Sequence, residues 1–212
     1  MFIAFEGIEG SGKSTQSKLL AKNLKSAGFK VVYSREPGGC VLGNNLRKIL
    51  LDSKNKDLDH RAELFLYLAA RAQHVREKIM PAIQDNKVVI VDRFNDSTIA
   101  YQGYGRGFDI DFVYRLCNFA CYGLWPDVTI VLDVPVKMGI KRARLRNHLY
   151  KDLDESRFEQ ENLKFHERVR EGYLALQQRD NKRIVVIDGT GTVEDVSSSI
   201  LSVLKKRLGL EL

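Results

Sequence analysis

Gly7-Ile8-Glu9-Gly10-Ser11-Gly12-Lys13-Ser14 reads G-x-x-x-x-G-K-[ST], the pattern of a phosphate-binding loop. Its flanks agree with that reading. Phe2-Ile3-Ala4-Phe5 is a short apolar run of the kind that fills a buried parallel strand. After the loop, Gln16 to Ala27 carries Leu19, Leu20, Leu24 and Ala27 at helical spacing. A loop that leaves a strand end and enters a helix start presents unpaired N–H groups at the positive end of the helix dipole, which suits a polyphosphate. The glycines let the backbone wrap closely around phosphate oxygens. In this reading Lys13 reaches the β- and γ-phosphates and the Ser14 hydroxyl binds Mg²⁺.

The rest of the chain alternates strand and helix. Lys30–Ser34, Lys87–Asp92, Val128–Val134 and Arg183–Ile187 join Phe2–Phe5 as five expected strands. Between them, helices are expected from Gln16, around Leu46–Leu50, from His60 to about Gln84, over Phe112–Tyr122, after Pro135, over Arg157–Gln178, and from Val193 to about Leu208. Asp59 caps the long helix, and Pro81 weakens its last turn. Gly103-Tyr-Gly-Arg-Gly107 reads as a glycine-rich loop. This alternation means an α/β fold in three layers, a parallel five-stranded sheet flanked by helices. Ligands of such sheets bind beyond the carboxyl ends of the strands. The loop at Gly7, the loop at Arg35, Asp92 and the loop at Asp188 are therefore expected along one edge.

The 212 residues suit one domain spanning 1–212, or one domain with a small insertion. A net charge of +7 favours anionic partners such as nucleotides, nucleic acid or a membrane surface. Cys40, Cys117 and Cys121 form no C-x-x-C pair, which fits a reducing cytosol. Cys117 and Cys121 share a helix face and read as core packing. The histidines have no metal spacing. Met1 leads directly into the first strand, so no signal peptide is expected, and no run of 18 apolar residues exists.

At the expected edge, Asp92 ends an apolar strand, where an acid either holds Mg²⁺ or caps a helix. Arg93 follows it, placed to fork onto phosphate oxygens or to form a surface ion pair. Lys137, Lys141, Arg142, Arg144 and Arg146 make a strongly basic helix, and the polar stretch His148–Ser156 adjoins it. Arg142 and Arg146 are four apart and repel. The run fits either a lid closing on a polyphosphate, about 141–157, or a solvated face. Tyr67 and Arg71 are one helical turn apart. They suit either a ring stacked on a base beside an arginine at its edge, or a core aromatic with a surface arginine.

Taken together these residues resemble the thymidylate kinase family, bacterial type, within the P-loop nucleoside monophosphate kinases. The resemblance runs through F-E-G-I-E-G-S-G-K-S-T (5–15), R-E-P-G-G (35–39), L-F-L-Y-L-A-A-R-A-Q-H (64–74), D-R-F-N-D-S-T-I-A-Y-Q-G (92–103), P-D-V-T-I-V-L-D-V-P (126–135) and S-R-F-E-Q-E-N-L-K-F-H-E-R-V-R-E-G-Y-L (156–174). It implies a single P-loop kinase domain with a mobile lid. The implied reaction is ATP-dependent phosphorylation of thymidine monophosphate, with Mg²⁺, in a cytoplasmic homodimer that engages neither nucleic acid nor membrane. ATP would sit on Gly7, Ile8, Glu9, Gly10, Ser11, Gly12, Lys13, Ser14 and Thr15, with Ser14 and Asp92 at the metal. The acceptor would meet Glu36, Pro37, Arg47, Tyr67, Arg71, Arg93, Thr98, Tyr101 and Gln102. Tyr67 would stack on thymine, Arg71 would bond its edge, and Arg93 would hold its phosphate. Glu9 would lie near the acceptor sugar. Lys13, Arg93, Glu9, Arg142 and Arg146 would be the catalytic groups. No arginine lies at positions 8 to 11, so the lid supplies them. Phe94, Tyr67 and Ser156 depart from the family's usual residues.

Three rivals share parts of this pattern. Another small-molecule kinase of the same fold, acting on a different nucleotide or a nucleoside, would be favoured by a lack of preference among acceptors. A nucleic-acid-dependent ATPase would need more than Arg106-Gly107-Phe108, which lacks the rest of an RNA-binding strand motif. A switch without catalysis is at odds with intact Lys13, Ser14, Asp92 and the basic helix.

Overall fold

Strand β1 (Phe2–Glu6) is buried along its whole length, and its side chains divide between two helical layers. Ile3 and Phe5 pack with Leu20 and Leu24 of α1 (Lys13–Ser26) and with Val196, Ile200 and Leu204 of α9 (Val193–Leu208). Phe2 and Ala4 face the other way, onto Val75, Ile79, Val89, Val91 and Phe94. This period-two division is what a strand covered on both faces requires.

The protein's structure, a computed structural model, describes residues 1–149 and 156–210, apart from the side chains of His148 and Leu149. The remaining elements in order are β2 (Val31–Arg35), α2 (Val41–Leu51), α3 (His60–His74), α4 (Met80–Gln84), β3 (Val88–Asp92), α5 (Asn95–Thr98), α6 (Ile110–Ala120), β4 (Val128–Asp133), α7 (Val136–Leu149), α8 (Leu163–Arg179) and β5 (Ile184–Asp188). The sheet order is β2-β3-β1-β4-β5, all parallel. In register, Asp92 pairs with Phe5 and with Arg35, and Asp133 pairs with Asp188. The expected edge is therefore real: the loops after β1, β2, β3 and β5 all open there.

Several elements differ from the sequence reading. α1 begins at Lys13, inside the phosphate-loop motif, rather than at Gln16. The long helix from His60 does reach Gln84, but through a wider turn at Val75–Ile79 in which Met80 N–H bonds Val75 O. That turn precedes Pro81, which has no N–H to donate.

The expected glycine-rich loop at 103–107 is largely helical, within a wide turn over Ile99–Gly105. Its glycines serve close packing: a Cβ on Gly105 would lie 2.7 Å from the Phe165 ring of α8. Helix α8 starts at Leu163 with Asn162 as its cap, not at Arg157. Arg157 instead turns inward, its backbone N–H on Leu51 O and its side chain on Leu50 O and Glu63. Cys117 and Cys121 are buried and unpaired, and burial pushes the Cys117 thiol up to about 12. Both therefore act as core residues.

Candidate active site

The phosphate loop is shaped by what lies against it. Gly10 has φ +68, and a Cβ there would lie 2.0 Å from Gly139 O, so α7 runs directly over the loop. Gly12, at φ 96, caps α1 without a side-chain hydrogen bond, and no acid stands in the first helical turn. The positive end of α1 is thus left to a ligand. Lys13 Nζ folds back to donate to Ile8 O (2.7 Å) and Ser11 Oγ (3.2 Å). Burial, then the nearby Arg93 charge, lowers its pKa to about 7, against the pull of Asp92, Glu9 and Glu6. Ser14 Oγ donates to Asp92 Oδ2 across the gap between α1 and β3. That pair presents adjacent hard oxygen donors. It fits Mg²⁺, which takes one or two protein oxygens and fills its shell with water and phosphate.

A cleft of about 920 Å³ opens from the loop. Glu9, Gly10, Gly12, Lys13, Ser14, Thr15 and Asp92 line one end, and Glu36, Pro37, Arg47, Tyr67, Arg71, Arg93, Thr98, Tyr101 and Gln102 the other. Arg142 and Arg146 reach it from α7. Gly7, Ile8 and Ser11 do not line it. Gly7 O accepts from Arg93 and Ile8 O from Lys13, while the Ile8 side chain belongs to the core.

Arg93 is the most heavily held group. Its backbone is left-handed, φ 70. Nη1 shares its two hydrogens among Gly7 O, Ser97 Oγ and Tyr173 OH, and Nη2 donates to Glu9 Oε1 (3.2 Å) and Tyr101 OH (3.1 Å). Its guanidinium also lies 4.9 Å from the Tyr101 ring centre. Glu9 Oε1 accepts from Tyr101 OH at 2.6 Å, and Glu9 Oε2 lies 3.3 Å from His166 Nδ1 without an aligned hydrogen bond. Burial favours the neutral Glu9 carboxyl, but His166, Arg93 and Lys13 outweigh it and hold the group ionised, well below the usual carboxylate range.

At the far end, Arg71 is an interior residue. Its Nε donates to Glu36 Oε2 (2.7 Å), Nη1 to Thr98 Oγ1 (2.8 Å) and Nη2 to Phe94 O (3.0 Å). Nη1 also donates to Cys117 Sγ at 3.8 Å, so four of its five N–H groups are used in holding the fold. This corrects the alternative of a surface arginine. Glu36 also meets His74 Nδ1 at 2.8 Å. Burial alone would raise its pKa, yet Arg71 and His74 lower it. Tyr67 lies beside Phe158 at the cleft wall, and burial lifts its phenol clear of the ionising range. Gln102 donates to Glu63, and Arg47 to Pro37 O.

On α7 the basic run splits. Arg142 donates to Gly189 O, and Arg146 to Glu159. Arg144, two residues from each, faces a separate groove with Lys137 and Lys141. Residues 150–155 of the expected lid lie outside the described residues.

Sequence reasoning assigned nothing to Glu6, Phe158, Glu159, His166 or Tyr173, all of which meet this site. One signal was present for two of them. His166 and Tyr173 are seven apart on α8, hence on one face, and both are buried.

A phosphate loop, an acid ending the neighbouring strand, and arginines reaching across from a flanking helix define a P-loop phosphotransferase. The second, enclosed end of the cleft marks the branch whose acceptor is a small molecule. Residues 5–200 match the family model described as thymidylate kinase. The chain is 49% identical over 208 residues to thymidylate kinase of Geotalea daltonii, covering 98% of this chain and 97% of that one. It is 49% identical over 207 residues to thymidylate kinase of Geobacter sulfurreducens, again covering 98% and 97%. The crystal structure of thymidylate kinase from Ehrlichia chaffeensis superposes with a TM-score of 0.76 at 35% identity, covering 96% and 98% of the two chains. The chain belongs to the thymidylate kinase family.

Proposed function

We propose that the protein transfers the γ-phosphoryl group of ATP to thymidine monophosphate, giving the diphosphate and ADP, with the cleft residues in the following roles. The observation that carries this reading is the continuity of one cleft from Lys13, through Arg93, to Tyr67 and Arg71. Phosphoryl transfer asks the protein mainly to hold two anions in line and to offset their charge. Lys13 exchanges Ile8 O and Ser11 for phosphate oxygens. Arg93 turns its fork to the acceptor phosphate, an already ionised nucleophile that needs no general base. When bound at Ser14 and Asp92, Mg²⁺ supplies further neutralisation of phosphate charge. Glu9 orients the acceptor sugar, and Tyr67 stacks on the base. Glu36 and Pro37 shape the wall behind it.

Arg71 supplies base choice. Arginine donates and never accepts, so its remaining N–H, on Nη2, suits a ring carbonyl and opposes the amino group of cytosine. A mispaired buried polar group costs about 1–3 kcal/mol, so cytidine-type monophosphates should be about ten- to a hundredfold worse in kcat/KM. A coupled ADP-release assay over a panel of monophosphates tests this. Equal use of deoxycytidine and thymidine monophosphates would sink the base-recognition reading and favour a broad nucleotide kinase.

The segment 141–157 acts as the lid of a single kinase domain over 1–212. Arg142 and Arg146 offset charge that develops during transfer, and closure keeps water from the donor. Alanine at either should lower kcat by more than it raises KM for ATP, whereas alanine at Arg144 should change neither. Normal kcat in both the Arg142 and Arg146 variants would return the run to a solvated face.

The protein works as a homodimer in the cytoplasm. In support of the dimer, Phe65, Phe112 and Phe119 are exposed by 59%, 46% and 84% on α3 and α6, which pack side by side. Exposed apolar area of that kind marks interaction surfaces. Phe119→Glu should shift sedimentation to a monomer, and a monomeric parent protein would refute the assignment. Three unpaired cysteines support the compartment. No helix among the described residues is long and apolar enough to cross a membrane.

A further inference from the structure

Glu6, the last residue of β1, is wholly buried beneath the site, and the roles above leave it unused. Its carboxylate accepts four hydrogen bonds. Oε1 takes Phe94 N–H (2.7 Å) and Ser97 N–H (3.2 Å), and Oε2 takes Ser97 Oγ–H (2.5 Å) and Tyr173 O–H (3.0 Å). These are the groups that surround Arg93. Phe94 N–H belongs to the peptide that follows the left-handed Arg93, a conformation that residues with side chains seldom adopt. Ser97 Oγ and Tyr173 OH both accept from Arg93 Nη1, at 3.1 and 3.3 Å.

Hydrogen counting gives this arrangement a direction. A hydroxyl has one hydrogen and two lone pairs. The Ser97 and Tyr173 hydrogens run to the Glu6 carboxylate, or from one hydroxyl to the other across their 2.9 Å contact. Either way only lone pairs face Arg93, which needs acceptors. A neutral group at position 6 reverses the chain. Oε1 must still accept two backbone N–H groups, so the donor would sit at the Oε2 side and give its hydrogen to a hydroxyl. That hydroxyl would then aim its own hydrogen at the guanidinium.

We propose that Glu6 is a positioning residue for acceptor binding: its carboxylate aims the Ser97 and Tyr173 lone pairs at Arg93 and fixes the turn that presents this guanidinium to the acceptor phosphate. The inference rests on the reading that Arg93 holds that phosphate. The charged and titratable groups facing Glu6 are Asp96 of α5, Arg93, Lys13 of α1 and Tyr173 of α8. Burial, then the Asp96 charge, raises the Glu6 pKa to about 7, against the Ser97 hydrogen bond and the Arg93 charge. The ionised, orienting form therefore predominates above that pH and is lost as pH falls through it.

Calorimetric titration with thymidine monophosphate tests the proposal on the wild type, Glu6→Gln, Arg93→Ala and the double variant, with KM for ATP measured alongside. Glutamine keeps the size and puts an N–H₂ donor where the carboxylate accepts. Glu6→Gln should weaken acceptor binding about ten- to a hundredfold and leave KM for ATP within about twofold. Added to Arg93→Ala, it should change acceptor affinity by less than about twofold, because its effect passes through Arg93. Wild-type affinity should fall as pH drops through about 7, while that of Glu6→Gln keeps only the titration of the ligand phosphate common to both.

Unchanged acceptor affinity in Glu6→Gln, full additivity with Arg93→Ala, or identical pH profiles would overturn the proposal. Unchanged affinity in Arg93→Ala would bring down the Arg93 reading itself, which is a separate result. If Glu6→Gln does not fold, Ser97→Ala and Tyr173→Phe decide. Each should weaken acceptor binding selectively, and wild-type affinity in both would overturn the relay.

Discussion

Lys13→Ala should lower kcat by roughly 10³-fold while leaving the fold intact, on the scale of removing one preorganised charge from a phosphoryl-transfer site. The side chain is 7% exposed, and its ammonium spans the loop interior, bonded to Ile8 O and Ser11 Oγ. No carboxylate pairs with it at ion-pair distance among the described residues, so its loss breaks no direct ion pair. The loop's shape comes from the glycines and from α7 lying across Gly10, and these contacts survive the substitution. The effect therefore falls on charge stabilisation at the β–γ bridge. Single-turnover kinetics with circular dichroism on the same sample would measure it. A folded variant that keeps more than about a tenth of kcat would remove Lys13 from the mechanism.

Arg71→Ala should act first on stability, by about 3–5 kcal/mol, because breaking a buried ion pair leaves its partner charged and unsatisfied. Glu36 is 4% exposed, and the substitution would leave it with His74 as its remaining side-chain partner. Thr98 Oγ1 and Phe94 O would lose a donor as well. For a chain of this size the melting temperature should fall by about 6–20 °C. Adding Glu36→Gln should recover part of that loss, since no uncompensated charge then remains. A fall below about 2 °C for Arg71→Ala would mean that the guanidinium is not a structural member of the wall. The base preference of Arg71→Ala is therefore informative only at temperatures where the variant is folded, with KM for ATP as the internal reference.

Both predictions turn on what was legible in the chain. The phosphate loop is a local object. Its glycines, lysine and serine lie within eight residues, and the strand and helix beside it announce themselves by apolar run and by helical spacing. The same holds for the strands. β1 and β3 are buried along their whole length and β4 in all but its last residue, so they read as apolar runs, while the edge strands β2 and β5 are partly exposed and still carry short runs of Val and Ile. It holds also for the capped helix from Asp59. Because ligands of a parallel sheet bind at its carboxyl edge, the meeting of Gly7, Arg35, Asp92 and Asp188 followed from the strands being parallel. Helical spacing likewise paired Arg142 with Arg146, but it did not set Arg144 apart or show which face of α7 meets the cleft. The contact of Gly10 with Gly139 decides that.

By itself, then, the sequence determined the class of sheet, the phosphate-loop motif and the identity of the residues along the edge, because each is set by residues within one or two turns of chain. Tertiary structure alone decided the second function of Arg71 as a buried partner of Glu36, the inward turn of Arg157, and the support beneath Arg93. Those contacts join residues far apart in the chain: Glu6 and Tyr173 are separated by 167 positions, and Glu9 and Arg93 by 84. A charged side chain reads as solvent-facing in a linear pattern, since an isolated charge is costly to bury. Glu6, Glu36, Glu63 and Arg71 are buried because folding brings each a donor or counter-charge from another element. No periodicity records that compensation, because it exists only once β1, α3 and α8 are packed against one another.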